Sequence, residues 1–364
     1  MHFIDHLAMG GAERALVQLA TRVDPARFRT SVACFDQSAF GDELAAHQCR
    51  VHLLHKRRAF DLALLLALVR LLRRERVALL HCHDLQSATY GCLAGLVARV
   101  PTLYTVQGAV AYSMPRARRL FPWLGRLHRR IVFVARYLQE TAVAGYGIRP
   151  HRTAVIPNAA DVAALRPRPR DPAIARSIGI GPADPVVGTV GNLRPVKDHA
   201  TLVRAFALVA QRIPNAKLLV VGEGDQRPAL EALVGELGLQ RAVQLLGTRG
   251  DVPDLLPQFD VFAVSSKSEG LSLAIVEAMA CELPVVATRV GGNPDTVVDG
   301  ETGVLVPPGD EAALAQALVE LLQDPGRRRR LGSAGRRRAE AEFSLSSMVE
   351  RYEALYASIL ERRG

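Results

Sequence analysis

Two doubly wound α/β domains joined by a linker form the architecture this sequence predicts. Three observations carry that prediction. Short β-like apolar runs alternate with helical segments along nearly the whole chain, which is the pattern of parallel strands covered by helices on both faces. The alternation breaks once, near Leu165, at Arg-Pro-Arg-Pro-Arg-Asp-Pro, where prolines this dense continue neither a helix nor a central strand. At 364 residues, 49% hydrophobic and 23% charged, the chain is too long for one small core and has the balance of a folded protein.

Taken in order, the predicted strands of the first half are His2–Asp5, Arg29–Phe35, Val51–Leu54, Ala78–His81, Thr102–Val106, Arg130–Val134 and Thr153–Ile156. Helical periodicity lies between most of them, at Ala12–Thr21, Leu62–Arg74, Gln86–Ala98 and Tyr137–Ala144. After the proline-rich break the pattern restarts with strands at Pro185–Val190, Ala216–Val221, Val243–Leu246, Val261–Val264, Pro284–Ala287 and Val304–Val306. Thr201–Gln211, Arg227–Leu237 and Leu273–Met279 read as helices, and a last helix covers roughly Ser347–Arg362. The predicted organisation is therefore a first domain over 1–163, a second over 164–344 and a terminal helix within 345–364. Two such domains would face each other across a cleft, with ligands beyond the carboxyl ends of the strands.

Composition narrows the function. The net charge of +10 suits a phosphate-bearing partner, or equally a solvated basic surface in which the runs Arg327–Arg330 and Arg336–Arg338 are exposed helix faces. Aromatics are 5% of the chain and no nucleic-acid motif is present, which argues against nucleic acid. The five cysteines (Cys34, Cys49, Cys82, Cys92 and Cys281) have no C-x-x-C spacing, so a disulfide framework is not expected and a reducing cytoplasm is. Met1–Gly10 lacks the basic-then-apolar order of a signal peptide. Leu62–Val69 is too short to span a bilayer and runs into Arg70, Arg73 and Arg74.

Four clusters carry chemistry. In Ser268-Glu269-Gly270-Leu271-Ser272 through Glu277, a strand feeds a polar turn and a helix opens near Leu271, so exposed amides make an anion site. Glu269 and Glu277 stand eight residues apart, ~12 Å if helical throughout, on the scale of a sugar at one end of a diphosphate and a ribose at the other. Carboxylates accept hydrogen bonds from hydroxyls; equally, Glu269 could serve the helix dipole and Glu277 the surface. In Gly191-Asn192-Leu193-Arg194-Pro195-Val196-Lys197-Asp198, two cations three residues apart at a strand end suit phosphate oxygens, or a solvated turn. Met9-Gly10-Gly11-Ala12-Glu13-Arg14 follows the first strand and lets backbone approach a ligand, or makes a simple tight turn. His81-Cys82-His83-Asp84 places two histidines on one strand face, with no second ligand cluster at a metal-site spacing. Gly222-Glu223-Gly224-Asp225 fails as a dinucleotide fingerprint because Arg227 stands at the third glycine.

The run Ser-Glu-Gly-Leu-Ser-Leu-Ala-Ile-Val-Glu-Ala-Met-Ala-Cys-Glu-Leu-Pro-Val-Val-Ala-Thr from Ser268 resembles, nearly residue for residue, the paired-glutamate signature of retaining GT-B glycosyltransferases, especially family four. The resemblance extends from the glycine loop to the terminal helix and implies a GT-B fold of two Rossmann-like domains, the acceptor mostly in the first and the nucleotide-sugar donor in the second. It implies that Glu277 holds the ribose, that Glu269 contacts the donor sugar, and that the backbone of Gly270, Leu271 and Ser272 meets the diphosphate. Arg194 and Lys197, beside Asn192, fall in the phosphate-binding loop, where their charge would stabilise the leaving diphosphate. Gly10 and Gly11 would face the donor phosphates, and His83 and Asp84 would line the cleft. Where many relatives carry histidine before a glycine, this chain has Gln107-Gly108, a hydrogen-bonding side chain that carries no proton.

The implied reaction moves a hexosyl unit from a UDP-, GDP- or ADP-sugar to a hydroxyl of a glycan or lipid-linked acceptor, with retention. Exopolysaccharide or lipid-glycan assembly is the expected setting. No cofactor and no metal are expected; the metal-chelating Asp-x-Asp is absent from the sequence. A cytoplasmic protein touching the inner face of an anionic membrane is expected from Met114–Arg130, where arginines interleave with Leu120, Phe121, Trp123, Leu124 and Leu127. A helix packing that apolar face on its own domain is the competing reading of this segment. A nucleotide-sugar epimerase and a catalytically impaired binding protein are the alternative functions.

Overall fold

Runs of β-branched and aliphatic residues bounded by turn residues become the strands, and the computed structural model describes them within all residues except 9, 38, 57, 59, 60, 109–114 and 362–364. In chain order they are β1 His2–Phe3, β2 His6–Leu7, β3 Ser31–Cys34, β4 Asp36–Gln37, β5 Arg50–Leu53, β6 Leu80–Cys82, β7 Thr102–Val106, β8 Arg130–Phe133 and β9 Thr153–Val155. The second set is β10 Val186–Val190, β11 Lys217–Val221, β12 Val243–Gly247, β13 Val261–Val264, β14 Val285–Thr288 and β15 Gly303–Val306.

Two all-parallel sheets result, ordered β5-β3-β1-β6-β7-β8-β9 and β12-β11-β10-β13-β14-β15, while β2 and β4 pair as a separate two-stranded ribbon. In each sheet the order reverses at its first strand, between β1 and β6 and between β10 and β13. Each reversal opens a crevice at the carboxyl ends of those strands, because the crossovers on either side leave in opposite directions. Central strands such as β7 and β13 are buried at every residue, as parallel strands covered on both faces must be. Along β11, Leu218 and Val220 face one apolar layer and Leu219 and Val221 the other.

The chain divides into two compact units, Met1–Ala159 with Leu345–Gly364, and Ala160–Ser344. The division falls four residues before the boundary expected at 163/164. Residues 160–163 join the second unit because the Ala160 amide donates to Phe343 O at 3.0 Å and Ala160 and Val162 are buried in that unit's core. The proline-rich segment that follows is not a free linker either. Arg170 pairs with Asp260 at 2.8 Å, and Arg168 pairs with Asp254 at 3.0 Å, strapping 166–171 to the second unit. Asp171 then caps helix Pro172–Ser177 by accepting from the amides of Ala173 and Ile174.

The arginine runs also depart from the solvated-face expectation. Arg328 donates to the carbonyls of Leu321 and Leu322, Arg336 to those of Leu165 and Ala280, and Arg338 to those of Asp295 and Thr296. These carbonyls end helices or turns and lack intrahelical partners. Arg329, Arg330 and Arg337 are exposed as expected.

Helix Leu345–Glu361 returns to the first unit and packs Met348, Val349, Tyr352, Tyr356 and Ile359 with Leu19, Leu103 and Val132. Its polar anchor is His81. One ring nitrogen meets the Tyr356 hydroxyl at 2.8 Å and the other the Thr105 hydroxyl at 2.7 Å, while Tyr352 reaches Thr105 at 3.0 Å. All four side chains are buried, so each hydroxyl satisfies a group that water cannot reach. Tyr356→Phe strips one nitrogen of its partner. It is expected to cost about 1–3 kcal/mol, seen in urea unfolding as a lower midpoint with an unchanged slope.

Candidate active site

The crevice of the second unit brings together the two clusters singled out in it. The loop after β10 carries Asn192, Arg194 and Lys197; the loop after β13 carries Glu269, Gly270, Leu271 and Ser272. Lys197 Nζ donates to Glu269 Oε1 at 2.6 Å, with Glu269 only 8% exposed. The Ser266 hydroxyl donates to the same oxygen at 2.6 Å. Arg194 and Asn192 are exposed at the rim of their loop.

The two loops are stitched by groups the sequence reading did not single out. The Ser265 hydroxyl donates to the carbonyls of Lys197 and Asp198 at 3.1 and 2.9 Å, and the Lys267 amide donates to Val196 O at 2.8 Å. Lys267 Nζ also pairs with Asp198 at 3.3 Å. Asp198 adopts the left-handed conformation, φ 50°, and is held there by Thr201, whose hydroxyl donates to its carboxylate at 2.9 Å. Their signal was faint: serines one and two residues past a strand end usually read as solvated turn.

Glycine is required at two flanking points. Gly222, φ 139°, lies so close to Gly191 that a Cβ would strike its carbonyl, and Gly291, φ 51°, would strike the carbonyl of Glu269. The segment Gly222–Asp225 thereby braces the phosphate-loop candidate, with Leu193 N donating to Glu223 O at 2.8 Å.

Helix Leu273–Ala280 opens at Leu273, where the expected helix Leu273–Met279 begins, with Ser272 at its N-cap and no side chain capping its amides. Glu269 stands in the loop before that helix, as expected, so helical rise covers only the Leu273–Glu277 part of its separation from Glu277. Glu277 is half-buried within the helix.

In the first unit, helix Gly11–Arg22 starts directly at the glycine pair, and no side chain caps it. Gly10 leaves room for the Glu13 carboxylate, which a Cβ there would meet. Met9 lies outside the described residues. Asp84 caps helix Leu85–Ala98: it accepts from the amides of Gln86 and Ser87 at 2.7 Å each and from that of Asp5 at 2.8 Å. Burial, reinforced by the neighbouring Asp5, raises its pKa to about 6. Its oxygens thus knit the crevice between β1 and β6, which leaves less for a sugar than its place in the motif implied.

His83, expected to line the cleft, is enclosed at 4% exposure. Its Nε2 lies 3.0 Å from His2 Nδ1, and its Nδ1 is buried without a hydrogen-bond partner among the described residues. Burial lowers the pKa of His83 to about 3 and holds His2 and His81 well below the usual histidine value. His2, which the sequence reading did not connect to this motif, completes a trio whose ligand atoms lie within 4.8 Å of one another. The donor set fits a metal ion poorly. Both nitrogens of His81 already hold hydroxyls, and three neutral imidazoles in this core would leave a divalent charge uncompensated.

Gln107 sits just past β7, half-buried, and its amide oxygen accepts from Asn158 at 2.7 Å. That orients the amide so that its NH₂ group is the remaining donor. Asn158, past the end of β9, was not anticipated.

The chain is similar to known proteins. The sequence model described as "Glycosyl transferases group 1" matches residues 171–338, and that described as "Glycosyltransferase Family 4" matches residues 9–164. The chain is 33% identical over 187 residues to an N-acetyl-alpha-D-glucosaminyl L-malate synthase of Bacillus anthracis, covering 51% of this chain and 49% of that relative, so the match spans about half the relative's length. It is 33% identical over 278 residues to the GDP-mannose-dependent alpha-(1-6)-phosphatidylinositol monomannoside mannosyltransferase of Mycolicibacterium smegmatis, covering 70% of this chain and 72% of that one. The crystal structure of Anabaena HepE in complex with UDP superposes with a TM-score of 0.89 at 26% identity, covering 98% of this chain and 99% of that one.

Two Rossmann-like units with paired loops at their switch points, together with these matches, define a GT-B glycosyltransferase, the class that uses nucleotide sugars. Within that class the chain belongs to family four.

Two outcomes follow from the geometry. Ser266→Ala leaves Glu269 held by Lys197 without its hydroxyl donor; kcat is expected to fall about tenfold, the scale of one hydrogen bond to a charged group, with the urea midpoint little changed. Separately, His2, His81, His83, His128 and His199 are all buried with lowered pKa values. Their neutral forms are favoured in the fold, so the unfolded chain binds more protons below about 6.5. Stability should be fully present above that pH and be lost as pH falls toward 4, which urea titrations at stepped pH would read.

Proposed function

We propose that this chain is a retaining hexosyltransferase. It takes a hexosyl unit from a UDP- or GDP-sugar and passes it, without a metal ion, to a hydroxyl of a glycan or lipid-linked acceptor. The observation that carries this reading is the Lys197–Glu269 pairing at 2.6 Å in the second-unit crevice, which sets a cation for a diphosphate beside a carboxylate for sugar hydroxyls. Further support comes from the ligands and substrates of similar proteins: UDP and UDP-glucose for Anabaena HepE, and GDP-mannose with a phosphatidylinositol-based acceptor for the mycobacterial enzyme.

On this reading Arg194 and Lys197 hold the diphosphate, Glu277 the ribose and Glu269 the sugar, while Gly270, Leu271 and Ser272 offer backbone amides at the start of helix Leu273–Ala280. The acceptor oxygen forms its bond to the anomeric carbon on the face from which the diphosphate departs. The anomeric C–O bond to phosphate breaks with its electron pair on the leaving oxygen, and that oxygen takes the acceptor's proton. The chain's tasks are positioning and charge stabilisation. Gln107, oriented by Asn158, donates its NH₂ to a substrate oxygen where many relatives have histidine. Gly10, Gly11 and Asp84 shape the first-unit crevice, Asp84 through its backbone ties, and His83 supports that crevice from within. The setting is cytoplasmic, at a membrane surface that presents the lipid-linked acceptor, with contact through the basic helix Pro115–Leu127. No helix among the described residues is long and apolar enough to cross a membrane.

Thermal-shift measurements with UDP, GDP, ADP and NAD test the reading. One nucleoside diphosphate should raise the melting temperature of the wild type, by linkage, and lose its effect in Glu277→Ala and Arg194→Ala. No shift with any of them, or variants that respond like the wild type, would overturn the donor assignment. Donor hydrolysis products with inverted anomeric configuration would overturn retention.

A further inference from the structure

The far edge of the first sheet holds a groove that the proposed chemistry does not use. It opens where β7, β8 and β9 begin, at the opposite end of β7 from Gln107, roughly 17 Å away along the strand. Its volume is about 390 Å³. Four arginines line it (Arg99, Arg126, Arg129 and Arg152), and no acidic side chain does among the described residues. Arg152 is held in place by donating to the carbonyl of Arg126 at 2.7 Å.

The surround is apolar. Helix Pro115–Leu127 buries Phe121 and Leu124 against its own unit, so the competing reading of this segment holds for that face. A second stripe points outward: Leu120, Trp123 and Leu127, at spacings of three and four residues, are 41%, 61% and 37% exposed. Leu96 and Val97, at the end of the helix packed beside it, are 58% and 53% exposed. Leu96 and Leu127 line the groove itself, and the Arg126 guanidinium lies 5.7 Å from the centre of the Trp123 ring. Exposed aliphatic and indole groups ringing a basic depression complement a surface that is anionic at its headgroups and apolar just beneath. Nucleic acid would leave the leucines and valine in water.

We propose that this groove binds the phosphate headgroup of an anionic phospholipid, with Trp123, Leu127 and Leu96 entering the acyl boundary around it. The inference rests on the membrane contact in the proposed function and adds a specific headgroup site to it. The helix belongs to the crossover between β7, just past whose carboxyl end Gln107 sits, and β8, which begins at the groove.

Flotation of the full chain with vesicles tests it, using phosphatidylcholine alone or mixed with phosphatidylglycerol. The wild type should float with the mixed vesicles and not with the neutral ones, and lose binding at high salt. Cations near an anionic leaflet contribute about 1 kcal/mol each, so Arg99→Ala with Arg129→Ala should weaken binding about thirty-fold. Trp123→Ser should weaken it too, and stabilisation by the nucleoside diphosphate should persist in all variants. Failure of the wild type to float with either vesicle overturns both the membrane contact and the headgroup site. Flotation of the double variant like wild type, or equal flotation with neutral vesicles, overturns the headgroup site alone. If sedimentation without lipid shows a wild-type dimer that Trp123→Ser dissociates, the patch is an interface between copies and the headgroup site falls.

Discussion

Parallel strands cannot be joined by tight turns, and that constraint organises everything else in this protein. Each connection must cross a sheet face, and the hand of the crossover fixes the side on which the next strand is laid. When the chain has built outward from β1 to β5, or from β10 to β12, it must return to the other side of the first strand. The return leaves an unfilled crevice at the carboxyl ends of β1 and β6 and again at those of β10 and β13. All the ligand-type clusters of the sequence come out at these strand ends, with Gln107 one strand further along at the end of β7.

At the second crevice, position is secured before any ligand arrives. Glu269 is nearly buried, which would be costly for an isolated carboxylate, yet it accepts from Lys197 and Ser266 at once. The loops bearing these partners are themselves tied by Ser265 and Lys267 to the backbone of Val196–Asp198. A diphosphate bound beside Lys197 would compete with Glu269 for the ammonium, so donor binding and carboxylate orientation are coupled through one short contact. The first crevice is secured differently, by one carboxylate, Asp84, which ties two strand ends to a helix start.

The same economy appears away from the site. His81 couples β6 to the returning C-terminal helix through Tyr356 and Thr105, and it remains neutral because its surroundings are dry. Arg328, Arg336 and Arg338 spend their charge on helix-end and turn carbonyls, so these three serve the fold. In the groove Arg152 likewise donates to a carbonyl, that of Arg126, but the four arginines there also meet beside exposed apolar side chains.

Much of the fold was legible in the sequence because it depends on local pattern. Apolar runs such as Val261–Val264 and periodic segments such as Leu62–Arg74 bury the same faces wherever they pack, and the glutamate-bearing run from Ser268 resembles its family's signature nearly residue for residue. The sequence also named the chemical types in the candidate site: two cations, two carboxylates, glycines and an amide. It did not reveal which of them would touch. His2 and His83 are separated by 81 residues, Lys197 and Glu269 by 72, and the proline-rich segment looked free because Asp254 and Asp260 lie far along the chain. Ser265, Ser266 and Asn158 carry no local signature, since a hydroxyl or amide past a strand end serves solvent unless another loop is brought to it. Only the tertiary structure brings those loops together, because strand order rather than sequence spacing decides which strand ends become neighbours.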